Sequence, residues 1–404
     1  MRVARLKSRA LSGLLALSAV FSVQANELTA TPNAEIVNTA DPMLLTPASD
    51  VPTVSHSPIN TESIPEAADT SRLETVPLQE ENKLDQAELP PEQAWLQRLQ
   101  AGLLRPQYQH LTQAIRGLDE KAQAFCAAPD ENWLEQVREQ WRVVLSRWAS
   151  LSVAPMLTVW ESVAPQLWTP LSPRALERYW DKNPLSPAMV SQAPATEKGL
   201  AAVEALLFAA NRPAAEQVRL FADPQRCIAL TALTGALVLD SAPLLNMLEN
   251  QTIQTIPSEN TPVSSRVLHQ WQQTLTALRQ WRQDYLLVPL QQRQSDRVLT
   301  PLARSDASLL ALEAALDGIG TLWLGNGKTE GLRAWLVLQH PGLAQAITQQ
   351  YDEVRASAQA LMPSLDENLL QQPRKVQLLA TELKRLENLL DQPLIQALGL
   401  KPVL

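Results

Sequence analysis

From Pro91 onward the chain sets large apolar side chains three and four residues apart, and it keeps this spacing to its end. Tyr108, Leu111, Ile115, Leu118, Ala122 and Phe125 form one such series, and Trp133, Val137, Trp141, Val144 and Trp148 a second. Leu268, Trp271, Leu275, Leu278 and Tyr285 form a third, and Val376, Leu379, Leu383, Leu386 and Leu390 a fourth. Steps of three and four bring each series onto one helix face and leave Gln, Arg and Glu on the other. Such a face must be buried against another element, so the pattern specifies helices packed on helices. No run alternates apolar and polar residues as a half-buried strand does. The 12 glycines in 404 residues are also few for the turns and bulges of a β protein. The fold class expected is all-α.

Breaks in the pattern set the organisation. Pro155, Pro165, Pro170, Pro173, Pro184 and Pro187 crowd one region. Proline lacks an amide donor and clashes with the preceding turn, so short helical pieces and loops are expected after the second series. Thr252–Pro262 reads as a longer loop that separates residues 91–255 from 256–404. Each part is long enough for a four-helix bundle, and the two together make one domain. Gly199–Phe208 and Leu309–Leu316 share an Ala/Leu/Glu pattern, an echo that either duplication or coincidence produces.

The residues before Pro91 have a different character. Arg2, Arg5, Lys7 and Arg9 precede an apolar run of 13 residues, Leu11 to Val23, and small residues stand three and one before a cut after Ala25. That layout is a cleavable secretory signal over residues 1–25. The run falls short of the roughly 18 residues that cross a bilayer, so no transmembrane anchor is expected once the signal is removed. Residues 26–90 contain no Trp, Tyr or Phe and set twelve acids against Arg72 and Lys83, the composition of a disordered acidic linker. The net charge of −8 therefore lies mostly in that linker, and the helical body carries only about −2. A nearly neutral body offers no basic footprint for nucleic acid.

Few residues could carry chemistry. Cys126 and Cys227 suit a structural disulfide in an oxidising compartment, with two free thiols as the alternative. The histidines are His56, His110, His269 and His340. His56 falls in the linker, His110 and His269 lie within helical patterns beside Tyr108 and Trp271, and His340 stands at a helix end before Pro341. There is no HExxH, no GxSxG and no glycine-rich phosphate loop. Gly325–Lys328 reads as a turn.

Several stretches, taken in order, resemble the imelysin family. Arg105–Tyr108 through Cys126–Pro129, followed by the Trp-rich segment Trp133–Trp148, is similar to the opening of that family. Tyr179, Trp180, Asp181, Lys182 and Asn183 resemble its aromatic-Trp-Pro-Asp-Lys-Asn loop, here without the proline. Gly199–Phe208 is similar to its Gly-x-His-x-x-Glu helix, Arg226-Cys227 falls where its second cysteine sits, and Leu316–Gly325 resembles a glycine-bearing segment of its second half. The resemblance covers about residues 95–400 and implies an exported helical protein linked to bacterial iron uptake, from a family once described as peptidases.

One departure governs what the resemblance can imply. The family's motif pairs a His with a Glu three residues on, a spacing that shares a helix face and can hold one cation. Gly199 and Glu204 match, but the His position is Ala201, which supplies no ligand. The metal candidates are then Glu204 and Asp181, with iron or another divalent metal as the implied ion. Glu204 could instead cap a neighbouring group or pair with Arg or Lys. Asp181 and Lys182 could join it at a shared cleft, or pair with each other. The expected function is a periplasmic binding or accessory protein of iron or haem uptake that performs no turnover, with an iron-uptake protein or another envelope protein as partner. A degenerate helical scaffold is the alternative, and a metallopeptidase the weakest reading, because metal hydrolysis needs a held ion and a general base.

Overall fold

The computed structural model describes residues 98–154, 159–171, 185–208, 212–249, 263–292 and 300–399. The signal, the linker, the boundary at 255/256 and Tyr179, Trp180, Asp181, Lys182 and Asn183 lie outside these residues. Among the described residues every regular element is a helix. One isolated bridge, Gly325 to Glu330, closes the expected turn, where the Asn326 side chain accepts from the amides of Lys328 and Thr329.

A short π-helical turn, Gln100–Leu104, leads into α1 (Arg105–Ala127), followed by α2 (Glu131–Ser152), α3 (Trp160–Leu167) and α4 (Pro187–Ser191). Next come α5 (Gly199–Leu207), α6 (Ala214–Leu220) and α7 (Pro224–Glu249). The second half contains α8 (Val263–Arg282), which continues through a π turn (Gln283–Leu287) into α9 (Val288–Gln291). It is completed by α10 (Ser308–Leu324), α11 (Leu332–Gln339), α12 (Pro341–Gln359), α13 (Leu365–Gln371), α14 (Pro373–Leu390) and α15 (Gln392–Ala397).

The apolar series explain the packing. Every member of the first, third and fourth series is buried, as are Val137, Trp141, Val144 and Trp148 of the second. In the first half α1 packs on α2 and α7, and the short α3, α4 and α5 lie against α7. In the second half α14 packs on α12 and α8, with α13 and α15 against it. Local signals set the helix ends. Asp130 caps α2 by accepting from the Trp133 amide at 2.6 Å, and Ser364 caps α13 through the Glu367 amide at 3.2 Å. Cys126 and Cys227 form a disulfide with Cα atoms 5.4 Å apart, which ties the end of α1 to the start of α7.

The halves meet through α2 and α10, which lie side by side. Gly318 makes that approach possible: a Cβ there would land on the carbonyl oxygen of Ser150 and 2.8 Å from Val153 Cγ2. Among the described residues the buried apolar side chains of both bundles form one continuous cluster.

Candidate functional site

The helix bearing the Gly-x-x-x-x-Glu pattern is short and central. Gly199 enters it at φ +77°, a left-handed conformation that side-chained residues rarely adopt, and a Cβ there would sit 2.7 Å from the Leu167 carbonyl oxygen. Backbone geometry and space both require glycine. Of the nine residues of α5 only Ala205 is not buried. So short a helix is held by its neighbours rather than by its own propensity. Trp141 Nε1 donates to the Leu200 carbonyl at 3.0 Å. At the other end Arg138 donates to the Leu207 carbonyl through Nε (3.0 Å) and Nη2 (2.9 Å), placing a cation where the helix dipole is negative. Just before α5, Lys198 is buried with its Nζ 2.9 Å from Asp240 Oδ2, a pairing that lowers the cost of removing both charges from water.

Glu204 projects from this helix toward the second half. It is only 3% exposed, and its Oε1 accepts from the Ser305 amide at 3.1 Å and from Ser305 Oγ at 2.7 Å. Ser305 belongs to the turn that precedes α10, so the carboxylate spans the junction of the two bundles. Burial pushes its pKa up to about 7, against the opposing pull of the two Ser305 hydrogen bonds and of Arg304. Tyr285, on the π turn, senses the same charge. Desolvation first, then the carboxylates of Glu204 and Asp284, drive its phenol well above the ordinary range, and its buried hydroxyl has no hydrogen-bond partner.

The other side of Tyr285 helps to line a cleft of about 420 Å3 at the same junction. Its floor is a run of touching aromatic rings. Trp168 and Trp148 lie 5.6 Å apart between ring centres, Trp148 and Trp281 5.9 Å, and Trp281 and Tyr285 4.3 Å. Trp281 is fixed by a 2.9 Å bond from its Nε1 to Ser152 Oγ. Pro165, Pro170 and Pro301 flank the run, and Gln280 and Asp284 stand exposed at one rim.

The predicted ligand set is only partly placed. Ala201 is buried on α5, one turn from Glu204, and brings no donor atom. His110, His269 and His340 are all exposed, and the His269 ring contacts Gln273 at 3.1 Å. No group of three or more His, Cys, Asp or Glu close enough to hold a metal occurs among the described residues. The described residues therefore do not fit the family's two-residue metal motif: one partner is a methyl group and the other carboxylate already accepts two hydrogen bonds. Sequence reasoning passed over Ser305, Trp168 and Trp281. Of the three, only Trp281 carried a signal, as the i−4 neighbour of Tyr285 on the third series.

The profile of the imelysin family, peptidase M75, matches residues 104–392. The chain belongs to the imelysin family. Two solved structures share its fold. An imelysin-like protein from Psychrobacter arcticum 273-4 superposes with a TM-score of 0.61 at 19% identity, covering 78% of this chain and 97% of that one. A protein from Parabacteroides distasonis ATCC 8503, named an iron-regulated protein A precursor, gives 0.61 at 14% identity, covering 76% and 96%. No curated protein matches the chain significantly. In this imelysin, then, the glutamate of α5 binds the turn of the opposite bundle.

Proposed function

We propose that this imelysin is an exported protein of the bacterial cell envelope that serves iron or haem uptake by binding, without turnover. One observation carries the non-catalytic part: Glu204, the remaining acid of the motif, is committed to Ser305, and Ala201 faces it in place of a base or ligand. The basic, apolar and small-residue layout of residues 1–25 supports export. The iron-regulated name of the Parabacteroides distasonis protein supports the link to iron. Its partner is then an iron-uptake component or another envelope protein.

The test combines fractionation with titration. The mature chain is expected in the periplasmic fraction, more abundant under iron limitation. One of Fe(II), Fe(III), Zn(II), Cu(II) or haem should bind saturably below about 100 μM, the range that corresponds to a modest specific site. No saturable binding, together with abundance indifferent to iron, would overturn the reading. A second reading, a helical scaffold that has lost its ion site, is favoured by the same Ala201. It gains if Ala201→His creates tight metal binding where the natural protein has none.

A further inference from the structure

We propose that the aromatic cleft between α3 and α8 is a binding site for a short neutral saccharide. The inference goes beyond the iron reading and does not depend on it.

The size of the cleft is the first argument. At about 420 Å3 it is large enough to take a small ligand. Its charge is the second. Asp284 is the only ionisable group other than the Tyr285 phenol among the described lining residues, and no Lys, Arg or His is present. Among the described lining residues phosphates, carboxylates and the propionates of haem find no counter-charge, and an anion there would be desolvated beside the Asp284 carboxylate at a net cost.

The arrangement of the rings selects among uncharged and cationic ligands. A cage for an ammonium group needs aromatic faces set around an open centre. Here each ring touches the next, at 4.3 to 5.9 Å between centres, which leaves no cation-sized gap within the run. Trp168 is the half-exposed member, backed by the buried Trp148, and so offers a flat apolar surface at the mouth. Gln280 and Asp284 stand one helical turn apart on the opposing wall, with the amide in hydrogen-bonding reach of the carboxylate. Thr169, whose hydroxyl donates to the Pro165 carbonyl at 2.7 Å, adds an acceptor oxygen beside Trp168. A sugar ring has the matching faces: its C–H side covers an indole, and its edge hydroxyls donate to a carboxylate and exchange hydrogen bonds with an amide. Anchored by the Trp281–Ser152 bond, the floor is set before a ligand arrives, which limits the ordering cost of binding.

Intrinsic tryptophan fluorescence reads the site directly. The full mature chain would be titrated with chitobiose, cellobiose and maltose, with glucuronate and tetramethylammonium as anionic and cationic comparisons. At least one neutral disaccharide is expected to saturate at or below about 1 mM. Trp168→Ala and Asp284→Asn should each weaken that binding about tenfold or more, with helical circular dichroism unchanged. The proposal is overturned if no disaccharide saturates, if glucuronate or tetramethylammonium binds more tightly than all three, or if both variants bind as the natural protein does. Such a failure leaves the iron reading standing, and the loss of iron binding would leave this one standing.

Discussion

Replacing Glu204 with glutamine isolates the cost of keeping a carboxylate at the junction of the bundles. The folded state raises this group from 4.5 to about 7, chiefly by burial. Between those two values the folded protein retains a proton that the unfolded chain has released. Stability contributed by the protonated group is therefore complete below about pH 4.5 and is lost as pH rises to about 7, after which the loss is constant. At roughly 1.4 kcal/mol per pKa unit, the loss amounts to about 3 kcal/mol. Glu204→Gln removes the titration while keeping an oxygen that accepts from the Ser305 amide and hydroxyl. Urea unfolding monitored by circular dichroism at pH 4.5 and at pH 8 measures the difference. The variant should match the natural protein within about 0.5 kcal/mol at the lower pH, as replacements that keep their hydrogen bonds do. At pH 8 it should exceed the natural protein by about 3 kcal/mol. An equal difference at both values, or a variant less stable at pH 8, would refute the reasoning, because the Ser305 bonds would then outweigh desolvation.

Three further perturbations address the frame. Removing the disulfide with Cys126→Ser and Cys227→Ser frees a loop of 101 residues and should cost up to about 4 to 5 kcal/mol by denaturant unfolding, an effect that reductant should reproduce in the natural protein. Gly318→Ala drives a methyl onto the Ser150 carbonyl and should destabilise by about 1–3 kcal/mol, whereas Gly342→Ala, with open space around it, should be neutral or slightly stabilising in the same melts. Arg282→Met takes from the fully buried Glu387 its 2.6 Å bond from Arg282 Nε and leaves it the longer contact with Lys384 Nζ at 3.4 Å, and should cost up to about 3 kcal/mol; adding Glu387→Met should restore most of it.

The helical architecture was legible because it rests on a repeating pattern. The series from Tyr108 to Phe125 and from Val376 to Leu390 are buried as their spacing demanded. Of the two readings open for the two cysteines, the structure shows the disulfide. The junction was less legible, because it is built by residues far apart in the chain. Ser305 meets Glu204 across 101 positions, and nothing in the sequence around either marks the other. Trp168 ends a short helix in the proline-crowded region, where no apolar period survives to show which way a side chain faces. Ala201 drew notice only when set against a family pattern, and the structure places it buried on α5, three residues before Glu204.

The contact of Gly318 with Ser150 has a mechanical consequence. Because α2 and α10 come from different bundles and are seated backbone to backbone, the frame is riveted at its centre rather than hinged there. Opening it like a jaw would pull Gly318 off the Ser150 carbonyl. The slot beside that seam thus keeps a fixed bore, and its choice of guest is tuned by exchanging wall residues such as Trp168, not by altering a stroke.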